Sequence, residues 1–191
     1  MSDKISKEIR SLVTNDGNIE LSIKTAEIPT PGADEVLIKV EAAPINPSDL
    51  GLLLSFAADI SSISTSGSGD ETTTTMKIHP ALMNAMKPRL DQSMQVGNEG
   101  AGVVVDAGEN AKELIGKTVG LADGAMYSQY RCVPAASCLV MDEYITFRSS
   151  FFICKSLNST LFYRNHENGK SFSSRAHCSS FKPWSNARKD M

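Results

Sequence analysis

The stretch Val96–Gly108, which reads VGNEGAGVVVDAG, decides the fold of this chain. Its closely spaced glycines precede Val103–Val105, and consecutive β-branched residues favour a strand. A dinucleotide-binding loop places its glycines between an apolar strand and a helix, whereas Met94 and Val96 make a weak preceding strand and valines follow. We therefore predict a glycine-rich turn that leads into a buried strand, with a dinucleotide fingerprint as the less favoured alternative.

The composition favours a small-molecule partner. The 191 residues are 41% hydrophobic, which is enough for the core of one ordinary domain with additional chain, or for two very small domains. A formal net charge of -3 and a pI near 5.6 do not supply the concentrated Lys and Arg that bind nucleic acid or an anionic membrane. We expect a small-molecule substrate and neither a nucleic-acid nor a membrane partner.

The four cysteines and the N-terminal residues indicate a cytoplasmic protein. The cysteines lack the CxxC spacing of a zinc cage and are too few for a disulfide scaffold of this length. Residues 1–8 are polar and carry both signs of charge, unlike a signal peptide, and no apolar run approaches the ~18 residues of a membrane helix. We expect reduced thiols in the cytoplasm.

Alternating apolar and polar residues predict several short strands. Asn15–Gly17 is typical of a hairpin turn, and Glu35–Ala43 is the strongest strand of the first half. Glycine and proline separate these segments, which suggests an antiparallel, barrel-like β architecture. The predicted strands are Ile9–Val13, Asn18–Ile23, Glu35–Ala43, the valine run, a short strand after Gly116, Met126–Val133 and Ser137–Met141.

Two short helices and one insertion complete the first 141 residues. Asn46–Asp49 combines an Asn cap, a proline at the first helical position and an acidic residue, and predicts a helix over Leu50–Phe56. Residues 57–79 are interpreted as a flexible surface insertion, because Ser61–Thr75 is almost entirely polar. Pro80–Met86 predicts a second short helix with a methionine-rich face that packs on the core.

The last part of the chain differs in character. Residues 142–191 mix Ser, Phe, Arg, Lys, His and Asn with little periodicity. We predict an irregular tail that is disordered or results from a truncation or frameshift, and a single folded domain over residues 1–141.

Glu35–Ala43, Ile45–Asp49 and Val96–Gly108, taken together and in this order, resemble the N-terminal half of the medium-chain dehydrogenase/reductase superfamily. The resemblance covers roughly residues 9–141 and implies a GroES-like, partly open β-barrel that is mainly β with short helices. In that family this half is the catalytic, substrate-side domain.

The resemblance also indicates a zinc-independent branch. Zinc-dependent relatives have a cysteine where this chain has Asn46 and a histidine where it has Asn98. Amides do not replace thiolate and imidazole as zinc ligands, so no metal is expected. The forms of these motifs look most like quinone oxidoreductases and enoyl reductases, which transfer a hydride from NADPH to a quinone or a conjugated double bond.

Asn46 and Asp49 are the candidate catalytic residues that the resemblance implies. Negative charge develops on the conjugated oxygen during hydride transfer, and the amide of Asn46 is the best neutral donor to stabilise it; it is also the candidate nicotinamide contact. Asn46 can equally be a helix cap, and Asp49 can act only at the helix start. Tyr127 and Tyr130 are weak candidates for a proton donor, and Glu99 is expected to make a structural hydrogen bond.

The expected cofactor is NADPH, but no segment after Met141 resembles the glycine-rich turn of a Rossmann domain. We therefore expect no Rossmann domain in this chain, no tight NADPH binding and little activity of the chain alone. The alternative from a different functional class is a non-catalytic GroES-like binding or dimerisation module, with a possible homodimer.

Overall fold

The computed structural model describes residues 5–55 and 58–141. The predictions for the tail and for Phe56 lie outside the described residues. Within them the chain forms ten strands and two short α-helices. The elements are β1 (Ile5–Val13), β2 (Asn18–Glu27), β3 (Glu35–Ala42), α1 (Leu50–Leu53), β4 (Ala58–Ser66), β5 (Thr73–Ile78), α2 (Met83–Met86), β6 (Met94–Gln95), β7 (Gly100–Ala107), β8 (Thr118–Leu121), β9 (Tyr130–Pro134) and β10 (Leu139–Val140).

The first sheet, sheet A, has the strand order β4-β5-β2-β1-β6. β1 and β2 form the predicted antiparallel hairpin, in which Val13 pairs with Ile19, and Gly17 takes a positive φ of 84° in the turn. Ile19 also pairs with Met76 of β5. Val13, Ile19 and Met76 are buried, so one face of the sheet carries a core cluster, on which Met83 and Met86 of α2 pack as predicted.

The second sheet, sheet B, has the order β10-β8-β7-β3-β9, with antiparallel pairs throughout. β3 confirms the strongest strand prediction, and Val36 and Ile38 are fully buried. They pack with Val104, Val119 and other apolar residues in the larger core cluster. Burial of valine and isoleucine side chains contributes about 1.5–3 kcal/mol each, and the cluster on sheet B contains more buried residues than the one on sheet A.

Backbone hydrogen bonds join the two sheets at β1. Ile9 N–H donates to the carbonyl of Tyr127 at 2.9 Å, and Gln129 N–H donates to the carbonyl of Lys7 at 2.9 Å. No closed barrel forms within the described residues, since each sheet keeps its own order. The expectation of a mainly β, partly open barrel with short helices is confirmed.

The segment predicted as a flexible surface excursion forms two strands instead. β5 lies between β2 and β4 in sheet A, and Met76 and Ile78 belong to the core. The prediction of a flexible excursion is wrong for β5, because three of its four polar residues are threonines, whose β-branched side chains suit a pleated sheet. β4 has the polar, exposed character that was expected.

The glycine-rich stretch is only partly a turn. Gly97 turns the chain with a positive φ of 94°, but β7 already begins at Gly100. A Cβ on Gly102 would lie 2.1 Å from the carbonyl oxygen of Lys39, and one on Gly100 would lie 3.1 Å from that of Ala42. These glycines let β7 approach β3 closely, which is a packing requirement and not a phosphate cradle.

The two helices are shorter than predicted. A 3-10 turn at Pro47–Asp49 follows Asn46, and α1 ends at Leu53, before the predicted Phe56. Among the described residues, no helix combines the length and the apolar character needed to cross a membrane.

Candidate functional site

Asp49 connects the helix start to the glycine-rich turn. The backbone N–H of Asn46 donates to Asp49 Oδ2 at 2.7 Å, and the backbone N–H of Asn98 donates to Oδ1 at 2.8 Å. Asp49 is 1% exposed. Since both carboxylate oxygens accept backbone hydrogen bonds, Asp49 holds the two segments that carry Asn46 and Asn98 next to each other.

The side chain of Asn46 is oriented by Glu99. Its Nδ2 donates to Glu99 Oε2 at 3.2 Å, and its backbone is extended, with φ -98° and ψ 161°. Glu99 therefore makes the structural hydrogen bond that the sequence predicted. Because a carboxylate only accepts hydrogen bonds, the amide nitrogen of Asn46, and not its amide oxygen, points toward Glu99.

Asn98, in the glycine-rich turn, adds a side-chain hydrogen bond to the start of the helix. Its Nδ2 donates to Ser48 Oγ at 3.2 Å. Asn46, Ser48, Asp49, Asn98 and Glu99 thus form one connected group, which we call the amide cluster. It brings together both predicted catalytic residues, although their catalytic role stays a prediction. Its neutral N–H donors are suited to stabilising a developing oxyanion.

The amide cluster does not fit a zinc ion. Zn²⁺ prefers thiolate and imidazole ligands, whereas the side chains of Asn46 and Asn98 are amides and both oxygens of Asp49 accept backbone hydrogen bonds. In the described ranges, no group of three or more His, Cys, Asp or Glu side chains could hold a metal ion.

The described residues do not fit the phosphates of a dinucleotide either. Such phosphates bind at a glycine-rich turn between a parallel strand and a helix. Gly100 and Gly102 instead lie within β7, with the backbone of β3 where their side chains would be. The glycines of β7 therefore do not form a phosphate-binding turn.

Tyr127 lies beside the amide cluster and packs under the glycine-rich turn. A Cβ on Gly97 would lie 2.6 Å from its ring, and its hydroxyl donates to the carbonyl of Pro44 at 2.9 Å. This structural role agrees with the weak expectation for Tyr127 as a proton donor. The ring also borders a cavity of about 480 Å³, together with Ile9, Leu21, Ile23, Ala43, Ile45, Leu53, Thr72 and Thr74.

Arg89 makes hydrogen bonds to α1 and to the residues that follow it, a role that was not predicted from the sequence. Its guanidinium donates to Ser11 Oγ at 3.1 Å, to the carbonyl of Leu52 at 3.4 Å and to Ser55 Oγ. Its Nε is buried without a hydrogen-bond partner among the described residues, and burial lowers the pKa of the guanidinium. These contacts join residues far apart in sequence, so no local pattern could have indicated them.

The two described cysteines are free thiols. Burial, together with the hydrogen bond that its Sγ donates to Glu35 at 3.4 Å, raises the pKa of Cys132 to about 11. Burial likewise raises the pKa of Cys138 to about 11, with a smaller contribution from Asp123. Such thiols are weak nucleophiles, so neither is a candidate for covalent chemistry.

Comparison with known families agrees with this geometry. The sequence pattern of the alcohol dehydrogenase GroES-like domain matches residues 32–143, which is more than half of the 191 residues. The chain belongs to this family. The match includes β3, the amide cluster and all of sheet B, and thus covers most of the GroES-like domain described above.

Solved structures share the fold of this GroES-like domain. A Mesorhizobium loti protein assigned as an NADPH:quinone reductase is 22% identical, with a TM-score of 0.51, and the alignment covers 88% of this chain and 46% of that one. A Pseudomonas syringae quinone oxidoreductase is 17% identical, with a TM-score of 0.50 and coverage of 84% and 41%.

A Bacillus thuringiensis protein, also assigned as an NADPH:quinone reductase, is 20% identical with a TM-score of 0.50, covering 76% of this chain and 36% of that one. The GroES-like chain thus spans less than half the length of these structures. No curated protein sequence matches it significantly.

Proposed function

We propose that this GroES-like domain is the substrate side of a zinc-independent oxidoreductase that reduces a quinone or a conjugated enone. The observation that carries the proposal is the amide cluster, in which the Nδ2 atom of Asn46 is oriented by Glu99. Amides stand where zinc-dependent relatives have metal ligands, and neutral hydrogen-bond donors take over the stabilisation of the substrate oxygen.

The roles of the residues follow from their contacts. NAD(P)H would supply the hydride in a reaction of this class. Addition of the hydride to the β-carbon of an enone would give an enolate with negative charge on the oxygen, and a proton from water would then add to the α-carbon. Asn46 donates a hydrogen bond to that oxygen as its negative charge develops. Asp49 is a positioning residue, because its two oxygens hold the backbones of Asn46 and Asn98.

Substrate binding can be tested on the 191-residue chain with isotope-labelled protein and 2-cyclohexen-1-one. We expect the side-chain amide NMR signals of Asn46 and Asn98 to shift on saturation. Asn46→Ala removes one hydrogen bond worth about 0.5–1.5 kcal/mol, so affinity should fall about two- to tenfold. Asn84→Ala, at an exposed position of α2, is the matched control and should not change binding.

Two outcomes would overturn the proposal: unchanged affinity of the Asn46→Ala variant, or shifts confined to signals outside the amide cluster. The same chain should form no stoichiometric complex with NADPH at micromolar concentration, since the described residues lack a phosphate cradle. A tight NADPH complex would contradict this part of the proposal.

The second candidate is a non-catalytic dimerisation module, and β4 is the feature that favours it. β4 is an edge strand of sheet A, and its side chains Ile60 and Ile63 are 63% and 56% exposed. Edge strands with exposed apolar side chains pair readily with a second chain. Sedimentation equilibrium separates the two candidates, because a clean monomer at high concentration excludes the homodimer.

A further inference from the structure

The cavity described above lies between sheet A and the segment that precedes Asn46. β1 and β2 contribute Ile9, Leu21 and Ile23, and Ala43 and Ile45 come from the opposite side. Ile9 pairs directly with Ile23 across the hairpin. The cavity wall therefore belongs to the same face of sheet A as the core cluster. It lies beside the part of that face on which α2 packs.

Large apolar side chains of this cavity are left exposed to water. Ile45 is 73% exposed and Ile9 is 37% exposed. Contiguous exposed apolar surface is unfavourable in water and marks a binding site when it is concave. The volume of about 480 Å³ falls within the range of roughly 300–1,000 Å³ that is typical of small-molecule sites.

The polar groups of the cavity wall indicate an uncharged ligand. The hydroxyl of Thr72 donates to the carbonyl of Gly69 at 2.7 Å, and that of Tyr127 donates to Pro44. No charged side chain of the described part of the protein lines the cavity. A charged ligand would lose its hydration without gaining a countercharge. A hydrocarbon has no such hydration free energy to lose.

The amide cluster is not part of the cavity wall. Ile45 lines the cavity, while the side chain of the next residue, Asn46, contacts Glu99. Among the residues that line the cavity in the described part of the chain, none belongs to the amide cluster. A ligand in the cavity would therefore not contact the Asn46 amide.

From these observations we infer that the cavity is a separate binding site for a neutral, predominantly hydrocarbon small molecule. The inference goes beyond the proposed function and does not depend on it. Thr74 of β5 and the preceding Thr72 belong to the wall, and Thr74 pairs with Leu21 of β2 on the same face of sheet A.

Binding is tested with the neutral dye Nile red on the full 191-residue chain. We expect saturable fluorescence enhancement at one site and displacement by n-decanol. Sodium decanoate has the same chain length but carries a charge, and should displace the dye at least about tenfold more weakly.

Thr74→Phe fills the cavity and should weaken Nile red binding at least about tenfold. The control is Thr73→Phe, which adds the same ring on the same strand but on the opposite face of β5. If Thr74→Phe does not fold, as judged by circular dichroism, Ile23→Phe replaces it, with Lys24→Phe as its control.

Three results would overturn the inference: the absence of saturable binding, equal effects of Thr74→Phe and Thr73→Phe, and equal displacement by decanol and decanoate. A dimer in sedimentation equilibrium that dissociates in the Thr74→Phe variant would also overturn it, because a second copy of the chain would then cover the cavity.

Discussion

The backbone N–H of Asn98 donates a 2.8 Å hydrogen bond to the buried carboxylate of Asp49, 49 positions earlier in the chain. This bond joins the turn before β7 to the start of α1. Together with the side-chain hydrogen bonds between Asn46 and Glu99 and between Asn98 and Ser48, this buried carboxylate fixes the relative position of the two amide side chains in the amide cluster.

Asp49→Asn should destabilise the domain by about 2–3 kcal/mol. The amide that replaces the carboxylate turns an NH₂ group toward a backbone N–H, so one buried donor loses its acceptor. Urea unfolding followed by circular dichroism measures the effect. Asp123→Asn, at an exposed position, should stay within about 0.5 kcal/mol of the wild type. Equal stability of the two variants would show that the Asp49 contacts are not stabilising.

Gly102→Ala should destabilise the domain by at least about 2 kcal/mol. Its Cβ would lie 2.1 Å from the carbonyl oxygen of Lys39, which belongs to the rigid backbone of β3. The control is Gly32→Ala, whose Cβ meets only the end of the flexible Glu35 side chain, at 3.2 Å. Thermal unfolding should separate the two variants clearly, and similar Tm values would contradict the close approach of β7 to β3.

The thiols Cys132 and Cys138 should resist alkylation. Each has a pKa raised to about 11, mainly by burial, so little thiolate is present at pH 8. Iodoacetamide followed by peptide mass spectrometry should modify both much more slowly in buffer than in urea. Fast modification of either thiol in buffer would contradict its raised pKa.

The same shifts predict a pH dependence of stability at alkaline pH. The folded-state pKa lies above the unfolded value of about 9, so the folded protein retains protons that the unfolded chain has already lost. The free energy of unfolding contributed by these thiols is complete below pH 9 and falls as the pH rises toward 11. In a Cys132→Ser, Cys138→Ser variant, urea unfolding at a series of pH values should show a smaller decrease.

Zinc should neither bind nor stabilise the domain. The amides of Asn46 and Asn98 are poor zinc ligands, so added Zn²⁺ or EDTA should leave the Tm unchanged. The double variant Asn46→Cys, Asn98→His supplies a thiolate and an imidazole and should gain measurable Zn²⁺ affinity by calorimetry. Tight binding of Zn²⁺ by the wild type would contradict the assignment of a metal-free site.

The sequence predicted the elements that have a strong local pattern. β3 is recognisable from sequence because Val36, Ile38 and Val40 share one face of an apolar, β-branched run, and the hairpin because Asn15–Gly17 is a favourable turn. The polar composition of residues 61–75 does not predict β5, although Thr74, Met76 and Ile78 lie at alternate positions as in a half-buried strand. The alternating pattern of a strand is therefore present in β5, but the polar composition of the segment obscures it.

Other features could not be predicted from local sequence. The position of Gly102 depends on the carbonyl of Lys39, which meets it only after β3 and β7 have paired. The contacts of Arg89 with Ser11 and Leu52 span 78 and 37 positions. Asn46 and Asn98 were identified through a family resemblance, but their connection through Asp49 required the three-dimensional structure.

The distribution of strands between the two sheets has a consequence for biosynthesis. β1 and β2 belong to sheet A, β3 to sheet B, β4–β6 to sheet A again, and β7–β10 to sheet B. On the ribosome, β3 is therefore synthesised long before β7 and β9, its neighbours on both sides. Such non-local pairing makes folding slow, and the apolar strand β3 stays unpaired in the nascent chain until most of the domain has emerged. This interval is when the chain is most exposed to aggregation and to chaperone binding.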